Sequence, residues 1–153
     1  MVRRLPRCVL TAVLCATALG CGRQAGSSAF KPVATLDQLM DGPIAHAAEA
    51  YWGAVSTVVD KDGVHETFPQ NDREWQQVWS AGITIGEAGN LLMLPGRARD
   101  NGDWMRLAAA LVDAGMEGAQ AAQSKNTERV LEAGEKIYNA CGACHTKYIA
   151  ADD

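Results

Sequence analysis

The stretch Tyr138–Tyr148, YNACGACHTKY, decides how the rest of the chain is read. Two cysteines three apart serve one of three chemistries: a dithiol that is oxidised and reduced, half of a zinc site, or the point at which a haem is joined to the chain. Around it, Val130, Gly134, Ile137, Cys141 and Tyr148 recur at helical spacing. The pattern predicts a helix capped by Asn126 or Thr127 and ending near Ile149. With Cys141 taken as zero and about 100° per residue, Cys144 falls near −60° and His145 near +40°. The three therefore share one arc. That arc suits a flat ring lying along the helix, with two thiols added to its vinyl groups and an imidazole reaching its iron. C-x-x-C-H is the attachment pattern of c-type haem. The rival readings have less in their favour. A redox CGAC pair opens a helix after a buried strand, whereas this pair closes a helix. A zinc site wants four ligands, and His46 and His65 lack a spacing that supplies them. A structural disulfide beside a chance histidine is the remaining alternative.

Moving toward the N-terminus, the chain offers three more helices and no convincing alternating strand. A helix runs from about Asp103 to Ser124, with Trp104, Leu107, Leu111, Gly115 and Ala119 on its buried side. Before it, Asn71 is an N-cap with Glu74 in the capping-box place. The stripe Trp75, Val78, Trp79, Gly82, Ile85, Gly86, Gly89, Leu92, Met93 faces inward, and PGRARDNGD forms a surface loop. Each glycine in that stripe costs about 1 kcal/mol of helix propensity against alanine. Close approach of a neighbouring helix or of a flat bulky group offsets the cost. The first helix starts at Thr35, with Gln38 as box partner, and is expected to stop near DKDG, Asp60–Gly63. Its buried face carries Leu36, Met40, Ile44, Ala47, Tyr51, Val55 and Val58. Pro43 is expected to bend or break it. His65 falls in a loop. Four helices of roughly 20 residues joined by short loops predict an all-α, antiparallel up-down-up-down bundle.

The N-terminus has another character. Arg3, Arg4 and Arg7 precede an apolar run from Cys8 to Leu19. That is an export signal over residues 1–20, too short to span a bilayer. TALGC ahead of and including Cys21 has the form of a bacterial lipoprotein signal, which makes Cys21 either a lipidated first residue or an incidental cysteine. A Gly/Ser-rich tether over 21–33 then leads to a domain over 34–153. Of the five cysteines only Cys141 and Cys144 remain inside the folded domain, so there is no disulfide framework. Without the three signal arginines, 11 basic residues face 18 acidic ones, a net charge near −7. Such a domain is a poor nucleic-acid binder and is steered toward basic partners.

Taken together, the export signal, the four amphipathic helices and the C-terminal CGACH followed by Tyr148 resemble the class II c-type cytochromes, the cytochrome c-prime family. LMDGPIAHAAEAYW, Leu39–Trp52, resembles the first helix of that family, and CGACHTKY resembles its haem-binding helix. The resemblance implies a left-twisted antiparallel four-helix bundle with one haem c lodged near one end. It implies thioethers at Cys141 and Cys144, iron ligation by His145, and electron transfer to redox proteins in the periplasm or at the membrane. A lipid anchor at Cys21 fits that location, and the resemblance leaves room for a homodimer.

The sixth ligand decides the task. Family members with an apolar distal residue are five-coordinate and bind nitric oxide or carbon monoxide. Members with a methionine on the first helix are six-coordinate, low-spin electron carriers. Met40 stands where that methionine would be, on the same face as Ile44, Ala47 and Tyr51. Met93 and Met105 are lesser candidates. His46 lies about 240° further round the helix and faces solvent. A working dithiol in a thiol oxidoreductase is the alternative from another class.

Overall fold

The computed structural model describes residues 30–149; the expected export segment, Cys21 and most of the tether lie outside them. Within these residues the chain is mainly helical, as expected for an all-α protein. The first helix begins at the predicted cap. The Gln38 N–H donates to Thr35 Oγ1 at 3.2 Å, and the Thr35 N–H donates to Gln38 Oε1 at 3.0 Å, a reciprocal box that satisfies two orphan donors. Helix α1 spans Leu36–Leu39, widens into a π-helical turn over Met40–Ile44, and continues as α2, Ala45–Trp52.

The break expected at Pro43 is absorbed by that turn. Proline has no N–H to give, and the wider turn re-pairs its neighbours: the Ala45 N–H reaches the Met40 carbonyl, five residues back. Such single-turn bulges inside helices are a known way of accommodating an altered hydrogen-bond ladder. Ile44 and Leu39 stay buried, and Met40 is half-buried against the core.

The expectation of helix as far as DKDG fails. Helix α2 ends at Trp52, and an antiparallel hairpin follows: β1 Ser56–Asp60 and β2 Gly63–Thr67, with Val59 opposite Val64. The β-branched run Thr57, Val58, Val59 favours extended backbone over helix. Gly63 closes the turn at a φ of 132°, a conformation that side-chain-bearing residues rarely adopt. Val55 keeps its expected burial, but Val58, placed on the buried face by helical spacing, is exposed. His65 is a strand residue beside Asp60, at 3.1 Å, not a loop residue.

Helix α3, Asp72–Leu92, is capped as predicted: the Glu74 N–H donates to Asn71 Oδ1 at 3.1 Å. The Glu74 carboxylate takes the Gln70 N–H at 2.6 Å and Asn71 Nδ2 at 2.8 Å. Helix α4 spans Asp103–Gln123 and α5 spans Thr127–Tyr148, the latter capped by Asn126. The glycine stripe of α3 meets α4. A methyl group on Gly82 would lie 2.6 Å from the Ala119 nitrogen, and one on Gly89 would lie 2.8 Å from the Ala108 carbonyl oxygen. Rising numbers on α3 meet falling numbers on α4, so the two run antiparallel. The neighbour that offsets the glycine cost is a helix, and the stripe is not a bed for a ring.

Tyr51 links the first helical segment to α4. It is 1 % exposed, and its hydroxyl donates to the Gly118 carbonyl at 3.1 Å. Burial pushes its phenol up to about 12. The fold thus favours the neutral form, so this contribution is complete below about pH 10, the unfolded value, and fades as pH rises toward 12. Tyr51→Phe is expected to cost about 1 kcal/mol at neutral pH through the lost hydrogen bond. The gap between wild type and variant should narrow as urea midpoints are taken from pH 10 to pH 12. A gap that stays constant over that range would show that the phenol is not the titrating group.

Candidate functional site

Helix α5 carries the C-x-x-C-H stretch near its C-terminal end, and the residues around it explain why it sits where it does. Ile137 is fully buried and anchors the helix one turn before Cys141. Beyond His145, the last turn is fastened to the start of α4. The Tyr148 hydroxyl donates to one oxygen of Asp100, and Lys147 pairs with Asp103. The other oxygen of Asp100 accepts the N–H groups of Gly102 at 2.7 Å and Trp104 at 3.1 Å. Asp100 therefore caps α4 from outside it, since Gly102 has no side chain to do so. Tyr148, and then these two amides, hold its carboxyl below the usual carboxylate range. The Tyr148 ring also packs edge-on against Trp104, with centroids 5.0 Å apart, while the Trp104 indole N–H donates to the Leu92 carbonyl at 2.8 Å.

Between α5 and the π-turn lies a pocket of about 290 Å³. Cys141, Cys144 and His145 line one side of it. Met40 lines it from the π-turn, with Ile44 and Ala48 below and Leu107 and Leu111 of α4 at the back. Two acidic residues, Asp41 and Glu49, are also in the lining. The four residues singled out from sequence are thus brought together. Met93 and Met105 pack against the core and do not line the pocket. Neither His46 nor His65 reaches it, and His46 is exposed as expected. Among the described residues no group of three His, Cys, Asp or Glu side chains is placed to hold a bare metal ion.

The residues flanking the motif do not reach the pocket: Tyr138 and Tyr148 lie outside the lining. Tyr138 points away and packs edge-on against Trp52, at 6.1 Å between centroids. Lys136 and Lys147 are neither free nor turned toward the pocket, but pair with Glu117 and Asp103 of α4. Of the tryptophans, Trp104 is core, Trp75 and Trp79 pack against the core, and Trp52 lines the pocket. Asp100 was legible only as part of a surface loop. The DNGD sequence before α4, an Asx residue ahead of a glycine cap, is the signal that could have marked it.

Both cysteine side chains are half-buried, and they are not joined to each other. Burial pushes Cys141 up, with a smaller push from Cys144, and burial alone pushes Cys144 up. A reactive dithiol is the reverse case: a thiolate stabilised at a helix N-terminus or by a cation. Here the pair sits at the end of a helix where backbone carbonyls point, which disfavours thiolate. The donor set fits a haem: two sulfurs and an imidazole on one arc of one helix, a thioether across a cavity, and aliphatic walls between. No protein-family model, curated protein or solved structure matches the chain. The resemblance to class II cytochromes accordingly rests on the motifs quoted above.

Proposed function

We propose that the chain is an electron-carrying c-type cytochrome of the cytochrome c-prime class, an up-down-up-down four-helix bundle holding one haem c. Cys141 and Cys144 would hold the group through thioethers, and His145 and Met40 would ligate its iron. The observation that carries this reading is the convergence of these four residues, from opposite ends of the chain, on one aliphatic-walled pocket. The bundle topology is supported by three contacts: α3 lies antiparallel to α4, α5 antiparallel to α4 through Lys136–Glu117 and Lys147–Asp103, and Tyr51 on Gly118 sets α2 alongside α4.

When bound, the haem supplies a one-electron ferric–ferrous couple. The chain supplies the rest. His145 is held in register by the Tyr148–Asp100 clamp one turn on. A Met40 thioether on the iron would favour the ferrous state relative to a second imidazole. Leu107, Leu111, Ile44 and Ala48, which line the pocket, would keep water from the ring. No substrate bond is made or broken, so the protein is a carrier and not an enzyme. Its partners are redox proteins in the periplasm or at the membrane, and Cys21 is the candidate lipid anchor.

Absorption spectra of the oxidised and reduced protein, repeated on Met40→Ala, test the ligand set. The expected outcome is a low-spin spectrum in the wild type and a high-spin one, open to carbon monoxide, in the variant. A wild type that is already high-spin would favour the gas-binding reading, and an unchanged variant would remove Met40 from the iron.

A further inference from the structure

We propose that the seam between α2 and α5, next to the haem pocket, is the docking surface for a basic redox partner whose own cofactor edge is framed by lysine or arginine around an apolar centre. The inference rests on the electron-carrier reading above. Trp52 lines both the candidate haem pocket and a second groove of about 320 Å³, bounded by Val55, Leu131, Glu135 and Tyr138. Its indole N–H is fixed to the Gly134 carbonyl at 3.0 Å, so the ring is a rigid wall between the two spaces. Leu131 is 51 % exposed and Tyr138 65 % exposed. Large apolar side chains left open on a helix face mark contact surfaces when they are contiguous, and rigid aromatics are favoured anchors at such surfaces.

Charge selects the occupant. On α4 and at the start of α3, Asp72 is paired with Lys125, Glu117 with Lys136 and Asp103 with Lys147, while Asp113 and Glu74 carry no ion pair among the described residues. Around the seam, Glu49, Glu128 and Glu135 carry no ion pair among the described residues, and each lines one of the spaces that meet there. An apolar centre with free carboxylates at its rim fits a partner with the opposite rim. It does not fit a second copy of this chain, because an isologous contact would set these carboxylates against their own counterparts. Proximity does the rest, since Trp52 places the docked partner beside the haem pocket without requiring any motion of the chain.

The test is a titration of isotope-labelled, exported protein with a basic class I cytochrome c, followed by amide and indole NMR shifts. Shifts are expected at Trp52, Leu131, Glu135 and Tyr138, fading as salt is raised to several hundred millimolar. Glu128→Gln/Glu135→Gln should weaken binding about five-fold at low salt, the worth of two exposed charge pairs, and the difference should vanish at high salt. Shifts centred on the outer face of α3 or α4, or indifference to the double substitution, would overturn the proposal. So would shifts at the seam that grow with protein concentration before any probe is added, because a second copy would then be the occupant. The readout does not depend on haem in this chain. Seam binding by a chain found to lack haem would sink the carrier reading and leave the surface standing. A haem-bearing chain that binds elsewhere would do the reverse.

Discussion

Cys141→Ser/Cys144→Ser is expected to leave no haem on the chain after denaturation, while the exported wild type keeps it. A thioether needs sulfur, and serine cannot add to a vinyl group under the same conditions. The two sulfurs line one side of the same pocket, so each single variant should retain the group through the remaining link. The haem should therefore be kept by the wild type and by both single variants and lost only by the double variant, a pattern that only covalent attachment at both positions produces. Loss of fold is a poor competing explanation, since each cysteine is only half-buried, and replacing a small, partly exposed side chain by a near-isostere costs about 1 kcal/mol or less. Intact mass and haem staining on a denaturing gel provide the measurement, with helical circular dichroism as control. Alkylation adds an orthogonal check: both thiols of the native exported protein should resist iodoacetamide even when unfolded. Two modified cysteines on the wild-type chain would end the cytochrome reading and return the pair to thiol chemistry.

Why the site was legible before the fold was complete follows from where its information lies. C-x-x-C-H is local, and the helix beneath it is set by local spacing, so Cys141, Cys144 and His145 could be placed on one arc from sequence. Met40 could be placed on a buried face, but that this face meets α5 at the same pocket is a tertiary fact. The hairpin was missed for a physical reason. Tyr51, Val55 and Val58 satisfy helical spacing, and a strand announces itself by alternating burial only when one face packs on a core. Here both strands are exposed almost throughout, so only the β-branched run and the Asp62-Gly63 turn remained as signals. Pro43 marks a conflict with the helical pattern, which the π-turn resolves without a break. The Asp100–Tyr148 clamp joins residues 48 apart in sequence, and no periodicity reports such a pair.

The glycine stripe calls for a close neighbour but does not say which. That ambiguity leads to the largest expected effect on stability. Gly115 of α4 faces Gly86 so closely that a methyl group there would lie 2.3 Å from the Gly86 nitrogen, 2.7 Å from its Cα and 2.8 Å from the Gly82 carbonyl oxygen. All three are backbone atoms, which cannot rotate out of the way as a side chain can. Gly115→Ala must push α3 and α4 apart along their whole contact. Helix propensity returns about 1 kcal/mol, but overpacking against fixed backbone costs about 3 kcal/mol or more. The net loss should lower Tm by roughly 10 °C. Gly86→Ala, one position across the same contact, is the discriminating control. Its methyl group would meet the Val112 carbonyl oxygen at 3.4 Å and nothing nearer, so propensity and crowding nearly cancel and Tm should move by only a few degrees. Thermal melts followed by circular dichroism separate the two. Leu107 and Leu111 on α4 and Leu92 of α3 line the same pocket, so on the cytochrome reading, separating these helices should also loosen the haem and raise its high-spin fraction in the surviving folded protein. Equal melting temperatures for the two variants would show that α3 and α4 are not in backbone contact. The aliphatic back wall of the site would then lose its structural basis.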